Sequence, residues 1–195
     1  MNTQLDIEER RSMDTKEAAA RIRADIKTAQ KDGTLPKGLK VSVRMATFSM
    51  GSSITVEITK LPEGAEIANT AEVSAYLRAH PGNSINDFQC PELLSTEASA
   101  WLATCDNIVN TYHFSETDLQ TDYHRNNFFK HVQFAGEVRN FAHLYALEAE
   151  LHEIAREAKR TGAKLTPGYN VLRLVPAAPA TTEQENFLTW LETPV

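Results

Sequence analysis

Two short segments of strict alternation, Leu39–Phe48 and Ser53–Lys60, constrain this chain more than anything else in it. Leu39, Val41, Val43 and Met45 alternate with Lys40, Ser42, Arg44 and Ala46, and Ile54, Val56 and Ile58 alternate with Thr55, Glu57 and Thr59. A period of two sends successive side chains to opposite sides of a strand, so each segment has an apolar and a polar face. The connection Ser49-Met-Gly-Ser-Ser53 is short and contains a glycine. The pair therefore reads as an antiparallel hairpin with one side buried.

Helical signals surround it. Asp14-Thr-Lys-Glu17 has the form of a capping box, and Ala18, Ile22 and Ile26 follow at helical spacing until Gly33 and Pro36 end the helix. A short helix is predicted over Ala71–Ala79 and a longer one from Pro91 to Tyr112. In the longer helix Leu94, Ala98, Trp101, Leu102, Cys105, Val109 and Tyr112 form one apolar stripe. Phe128–Val138 reads as a third strand, with Phe128, Val132 and Phe134 on one face and Phe129, His131 and Gln133 on the other. The longest helix starts near Asn140 and stops at Gly162, with Phe141, Leu144, Leu147, Leu151, Ile154 and Ala158 inward. Tyr169–Val175 is a fourth strand by the same reasoning, and Thr181–Glu192 a closing helix carrying Phe187 and Trp190. This order predicts an α+β fold: a small antiparallel sheet with helices packed mainly on one face, plus a C-terminal helix-strand-helix extension. Residues 1–13 read as a disordered lead-in, 14–138 as the α+β domain, and 139–195 as an extension packed on the same core.

Charge and cysteine content narrow the function classes. The net charge of −6 arises from interspersed residues of both signs, which gives no broad basic surface for nucleic acid. Cys90 and Cys105 are too few and too far apart for a zinc ribbon or a Cys-x-x-Cys redox pair, and both are expected to be reduced and packed. The sequence has no signal peptide and no apolar run of membrane length, so the cytoplasm is the expected location, with no membrane partner.

Two blocks carry a family resemblance. One is the capped helix followed by Lys40-Val-Ser-Val-Arg44 and Gly51-Ser-Ser-Ile-Thr-Val56. The other is Asn110-Thr-Tyr112 leading to Asp118-Leu-Gln-Thr-Asp-Tyr123, Asn127-Phe-Phe129 and His131-Val132. Together they resemble the large polyvalent protein-associated domain family of series number twenty-nine, over roughly Asp14 to Val132. Val41 stands where that family usually has phenylalanine, His124 where it has phenylalanine, and Phe129 where it has tyrosine; the tryptophan common after the second strand is missing. The resemblance implies a setting, the proteins of phages, plasmids and integrative elements, often beside anti-restriction or DNA-processing modules. It supplies no catalytic residues.

Four constellations could carry chemistry. His113, Asp118, Asp122, His124 and His131 are suitable metal ligands, but their spacing fits no known signature, and Asp118 and Asp122 also suit turn capping. Ser52 or Ser53 with His131 and Asp122 could form a nucleophilic triad, yet no nucleophile elbow surrounds either serine. Arg44, Lys130 and His131 beside Phe128 and Phe129 could meet a nucleic acid, although the bases are sparse. Arg44, Tyr112, Tyr123, Asp122 and His131 could anchor a protein partner. Against this stands a structural account in which Tyr123 packs on the sheet and Asp122 pairs with Arg44.

The resulting expectation is a non-enzymatic accessory protein of a mobile genetic element. It would need no cofactor and would bind a host or element-encoded protein complex, with inhibition of a CRISPR or restriction system as the favoured purpose. The alternatives are a nucleic-acid-binding accessory protein and a small metal-dependent hydrolase or nuclease using Asp118, Asp122, His124 and His131. The oligomeric state is open.

Overall fold

The computed structural model describes residues 5–118, 123–167 and 172–175, with side chains placed at 5–116 and 125–163. In chain order the elements are α1 (Ile7–Ser12), α2 (Thr15–Asp32), β1 (Lys40–Phe48), β2 (Gly51–Lys60), α3 (Thr70–Ala79), α4 (Thr96–Tyr112), β3 (Ser115–Asp118), β4 (Tyr123–Asn126), β5 (Phe129–Phe134), α5 (Ala142–Thr161), β6 (Lys164–Pro167) and β7 (Leu172–Val175). The architecture is α+β, as the patterning predicts. Among the described residues no helix is long and apolar enough to cross a membrane. The chain divides into two compact units, one of Met1–Ile67 with Thr96–Arg139 and one of Ala68–Ser95 with Asn140–Val195. The second unit thus draws on a segment from the middle of the sequence.

The first unit is built on a three-stranded sheet of order β1-β2-β5. β1 and β2 form the antiparallel hairpin, with Val43 opposite Val56 and Met45 opposite Ile54. β5 then pairs with β2 in parallel, Ile54 beside Lys130 and Val56 beside Val132, which makes the sheet mixed. Parallel pairing needs a crossover between the strands, and the chain between β2 and β5 is long enough to supply one. Position in the sheet sets burial. Ile54, Val56 and Ile58 of the central strand are fully buried, whereas Val41 and Val43 of edge strand β1 are half-buried and Met45 is exposed.

Helices α2 and α4 cover the aliphatic face. α2 contributes Ala18, Ala19, Ile22, Ile26 and Ala29, and α4 contributes Ala98, Cys105, Ile108, Val109 and Tyr112. Asp14 caps α2 by accepting from the Lys16 amide, and Gly33 closes it in the left-handed conformation at φ 88°. The capping box is only half formed, because the Glu17 carboxylate accepts from Arg21 one turn on. Helix α4 begins at Thr96, later than the Pro91 start the stripe predicts. Leu93 accepts from the Asn69 amide and Leu94 bridges to Ala68, so that stretch is held extended. Residues 7–12 form a helix where a disordered lead-in is expected. Asp6 caps α1, Glu8 and Glu9 lie in its first turn, and Arg10 and Arg11 in its last, which suits the helix dipole.

In the second unit α3 packs on α5. Val73 and Leu77 are buried on one helix, and Leu144, Leu151, Ile154 and Ala158 on the other. Gly82 sits at φ 99°, and a Cβ there would lie 3.5 Å from Ala155. His152 Nε2 meets the Asn83 carbonyl at 2.9 Å, fixing the same turn to α5. β6 pairs antiparallel with β7, Leu165 opposite Leu174. The expected fourth strand therefore exists at Leu172–Val175 with a partner the pattern did not disclose; Tyr169, and the closing helix with Phe187 and Trp190, lie outside the described residues.

Candidate functional site: the open face of the sheet

Helices on one side of β1-β2-β5 leave the other side to the residues of opposite parity. These are Ser42, Arg44, Ala46 and Phe48 on β1, Ser53, Thr55 and Glu57 on β2, and Phe129, His131 and Gln133 on β5. At the centre Glu57 is largely covered, accepts from Gln133 Nε2 at 3.0 Å, and forms an ion pair with Arg44. Arg44 keeps two thirds of its side chain exposed while Glu57 keeps 13%. The row Arg44–Glu57–Gln133 spans all three strands and is nearly neutral.

Toward the hairpin tip the face turns apolar. The Phe48 and Phe129 rings are 48% and 42% exposed, 5.8 Å apart and tilted by 34°. They lie over Gly51, where even a methyl group would touch both, at 3.4 Å from Phe129 and 3.6 Å from Phe48. Met50 projects from the turn at 89% exposure. Ile7, Phe88 and Tyr145 are exposed elsewhere; the ring-on-ring cluster belongs to this tip.

The sequence-derived candidates separate once placed. Arg44 and His131 do share the open face, although Arg44 pairs with Glu57 rather than Asp122. Lys130 does not join them. Its parity turns it to the helix side, where Nζ donates to Asp106 at 2.8 Å and to Asn110 at 2.6 Å, while Asn110 donates to Asp106 at 2.8 Å. Phe128 is fully buried under His113, whose Nε2 meets the Phe128 carbonyl at 3.1 Å. The basic-aromatic surface of Arg44, Lys130, Phe128 and Phe129 is thus divided between two faces. Phe48, which shares Arg44's parity, is the residue that sequence reasoning missed.

Tyr112 is not an exposed anchor. It is buried, and its hydroxyl donates to Asp25 at 2.6 Å, clasping α4 to α2. Burial, and then the hydrogen bond to Asp25, push its ionisation well above the ordinary phenol range. Ser52 is engaged too, its Oγ lying 2.6 Å from Thr15 Oγ1 at the start of α2, which leaves it structural. Cys105 is buried, which raises its thiol to about 11, and Cys90 is half-buried and shifted upward by desolvation and by Asp87 and Glu148. Neither has the electropositive surroundings of a reactive thiol.

Tyr123 lies on β4 opposite Asp118, and His124 opposite Thr117. The side chains of these four residues, and Asp122 altogether, lie outside what the structure describes. Among the described residues no cluster of three His, Cys, Asp or Glu has metal-binding geometry. A groove of about 490 Å³ runs between α2 and α4, lined by Asp25, Asp32, Thr104 and Asn107 among others. Its polar groups are engaged locally: Asp25 accepts from Tyr112, Asp32 from the Thr34 amide, and the Thr28, Thr104 and Thr111 hydroxyls donate to their own helices. It presents no converging set of free donors.

Asn127 is the other residue with a defined task. Its Nδ2 donates to the Arg10 and Tyr112 carbonyls at 3.0 and 2.8 Å, and its Oδ1 accepts from the Phe114 amide at 2.9 Å. One side chain thereby joins the end of α1, the end of α4 and the approach to β3. It falls within the second block of the resemblance, as a structural residue.

Set against family models, curated proteins and solved structures, the chain matches none.

Proposed function

We propose that this protein acts by binding another protein through the open face of β1-β2-β5, without catalysis. The observation that carries the reading is the exposed Phe48–Phe129 pair, with Met50 at its rim and Arg44 farther along the same face. Aromatic, methionine and arginine side chains are the types enriched at interface centres, and a rigid sheet presents them at little entropic cost. The same face argues against nucleic acid, since Glu57 neutralises Arg44 and Lys130 lies on the other side.

The biological setting rests on the motif resemblance alone. On that basis the protein is a cytoplasmic accessory factor of a phage, plasmid or integrative element, and its partner is a host or element-encoded complex. Counter-defence against a CRISPR or restriction system is the role that setting favours.

The test is an interference assay in bacteria carrying either defence, with the wild-type protein and a Phe48→Ala/Phe129→Ala variant. Restored plating of a targeted phage by the wild type, lost in the variant, is the expected outcome. Restoration by both proteins would remove the face from the mechanism. Restoration by neither, together with no capture of defence-complex subunits, would remove the role.

A further inference from the structure

The two edges of the three-stranded sheet are treated differently. The Ala135 amide donates to the Ile58 carbonyl, so the odd-numbered residues of β5 direct their backbone groups at β2. Lys130, Val132 and Phe134 therefore direct theirs outward. On β1 the same alternation points Val41, Val43, Met45 and Thr47 outward, with Leu39 just before the strand, and side chains of α2 occupy two of these carbonyls. Arg23 Nη2 donates to the Val43 carbonyl at 2.8 Å and Gln30 Nε2 to the Leu39 carbonyl at 2.6 Å. Among the described residues no side chain bonds the outward backbone groups of β5, and His113 meets the Phe128 carbonyl just before the strand begins. β5 contains no proline and no bulge, and its one lysine is held against Asp106 instead of guarding the edge.

We infer that the outer edge of β5 pairs antiparallel with β5 of a second copy of this chain, joining two sheets into one. A strand pairing with itself about a two-fold axis needs its outward residues opposite one another. Centring the axis on Val132 achieves this: Val132 faces the partner's Val132, and Lys130 faces the partner's Phe134. No like charges then stand directly opposed, and on the open face His131 lies across from the partner's Gln133. The pairing is isologous about its two-fold axis, so each copy spends its one β5 edge and the assembly closes at two. A six-residue strand is a small contact, so the dimer is weak, with dissociation in the micromolar range or above.

This inference concerns the edge, and the proposed partner site concerns the face, so the two fail separately. Sedimentation of the full chain from low micromolar to near-millimolar concentration reads the first directly. A monomer–dimer equilibrium is expected, with the Lys130, Val132 and Phe134 amides slowing in hydrogen exchange by at least about tenfold as dimer accumulates. Val132→Pro removes one outward N–H and is expected to abolish the dimer, while Phe48→Ala/Phe129→Ala leaves it intact. A monomer at every concentration overturns the inference. So does a dimer whose edge amides exchange as fast as those of the monomer, and that readout needs no substitution to fold.

Discussion

Replacing Asn127 by alanine probes the fold at a polar side chain that joins three segments. The substitution removes three hydrogen bonds, to the Arg10 and Tyr112 carbonyls and from the Phe114 amide, at a part-buried position. A net contribution of about 0.5–1.5 kcal/mol per bond would give about 1.5–4.5 kcal/mol in all. The Phe114 amide loses its acceptor, but water reaches part of the site and can replace some of these bonds, so the expected loss lies toward the middle, about 2–3 kcal/mol. Asn127→Asp keeps the acceptor for Phe114 but turns a carboxylate toward two carbonyl oxygens. It is expected to cost at least as much as alanine near neutral pH, and less at a pH where the carboxyl is protonated. Urea denaturation followed by far-ultraviolet circular dichroism measures both. The two compact units call for fitting the transition of the Met1–Ile67/Thr96–Arg139 unit separately. A loss below about 0.5 kcal/mol for Asn127→Ala, within the range of an ordinary surface change, would refute the assigned role.

Four further outcomes are expected. Tyr112→Phe should lose about 1 kcal/mol of stability, because the Asp25 carboxylate gives up one hydrogen bond yet stays close enough to the groove to be hydrated. In alkali, Tyr112 and Cys105 hold their protons more tightly folded than unfolded, so their stabilisation is complete below the unfolded values, near pH 10 for tyrosine and about 8.5 for cysteine, and falls as pH rises through the shifted ones; a pH series of denaturation midpoints that stays level to pH 11 would contradict this. Ile58→Ala, in the central strand, should cost about 2–4 kcal/mol, and Met45→Ala, on the exposed edge, under about 1 kcal/mol, so equal losses would contradict the burial pattern. In thiol titration Cys90 should react first and Cys105 only on unfolding; simultaneous reaction in the native protein would mean that Cys105 is accessible.

Periodicity disclosed a good part of this molecule without coordinates. Alternation in β1 and β2 fixed the hairpin and its faces, and helical spacing with Asp14, Gly33 and Gly162 fixed the extents of α2 and the end of α5. Parity along β5 already grouped Lys130 with Phe128 and Val132. Placing Lys130 beside Arg44 went against that count, and the structure returns it to Asp106. Capping signals were also present at Asp6 to Arg11, but a helix this short lacks an apolar stripe, and its attachment depends on Asn127 far along the chain.

What the sequence determined by itself was local: which residues alternate, where helices can start and stop, and which face of each element is apolar. Those follow from backbone geometry and side-chain spacing, which act over a few residues. What only the tertiary structure decided was pairing at a distance. That β5 lies parallel to β2, that Glu57 answers Arg44, that Phe48 meets Phe129 over Gly51, and that Arg23 reaches the Val43 carbonyl are all matters of which segments become neighbours. Many partners satisfy the same local pattern, and the choice among them is made by the joint burial of the whole core.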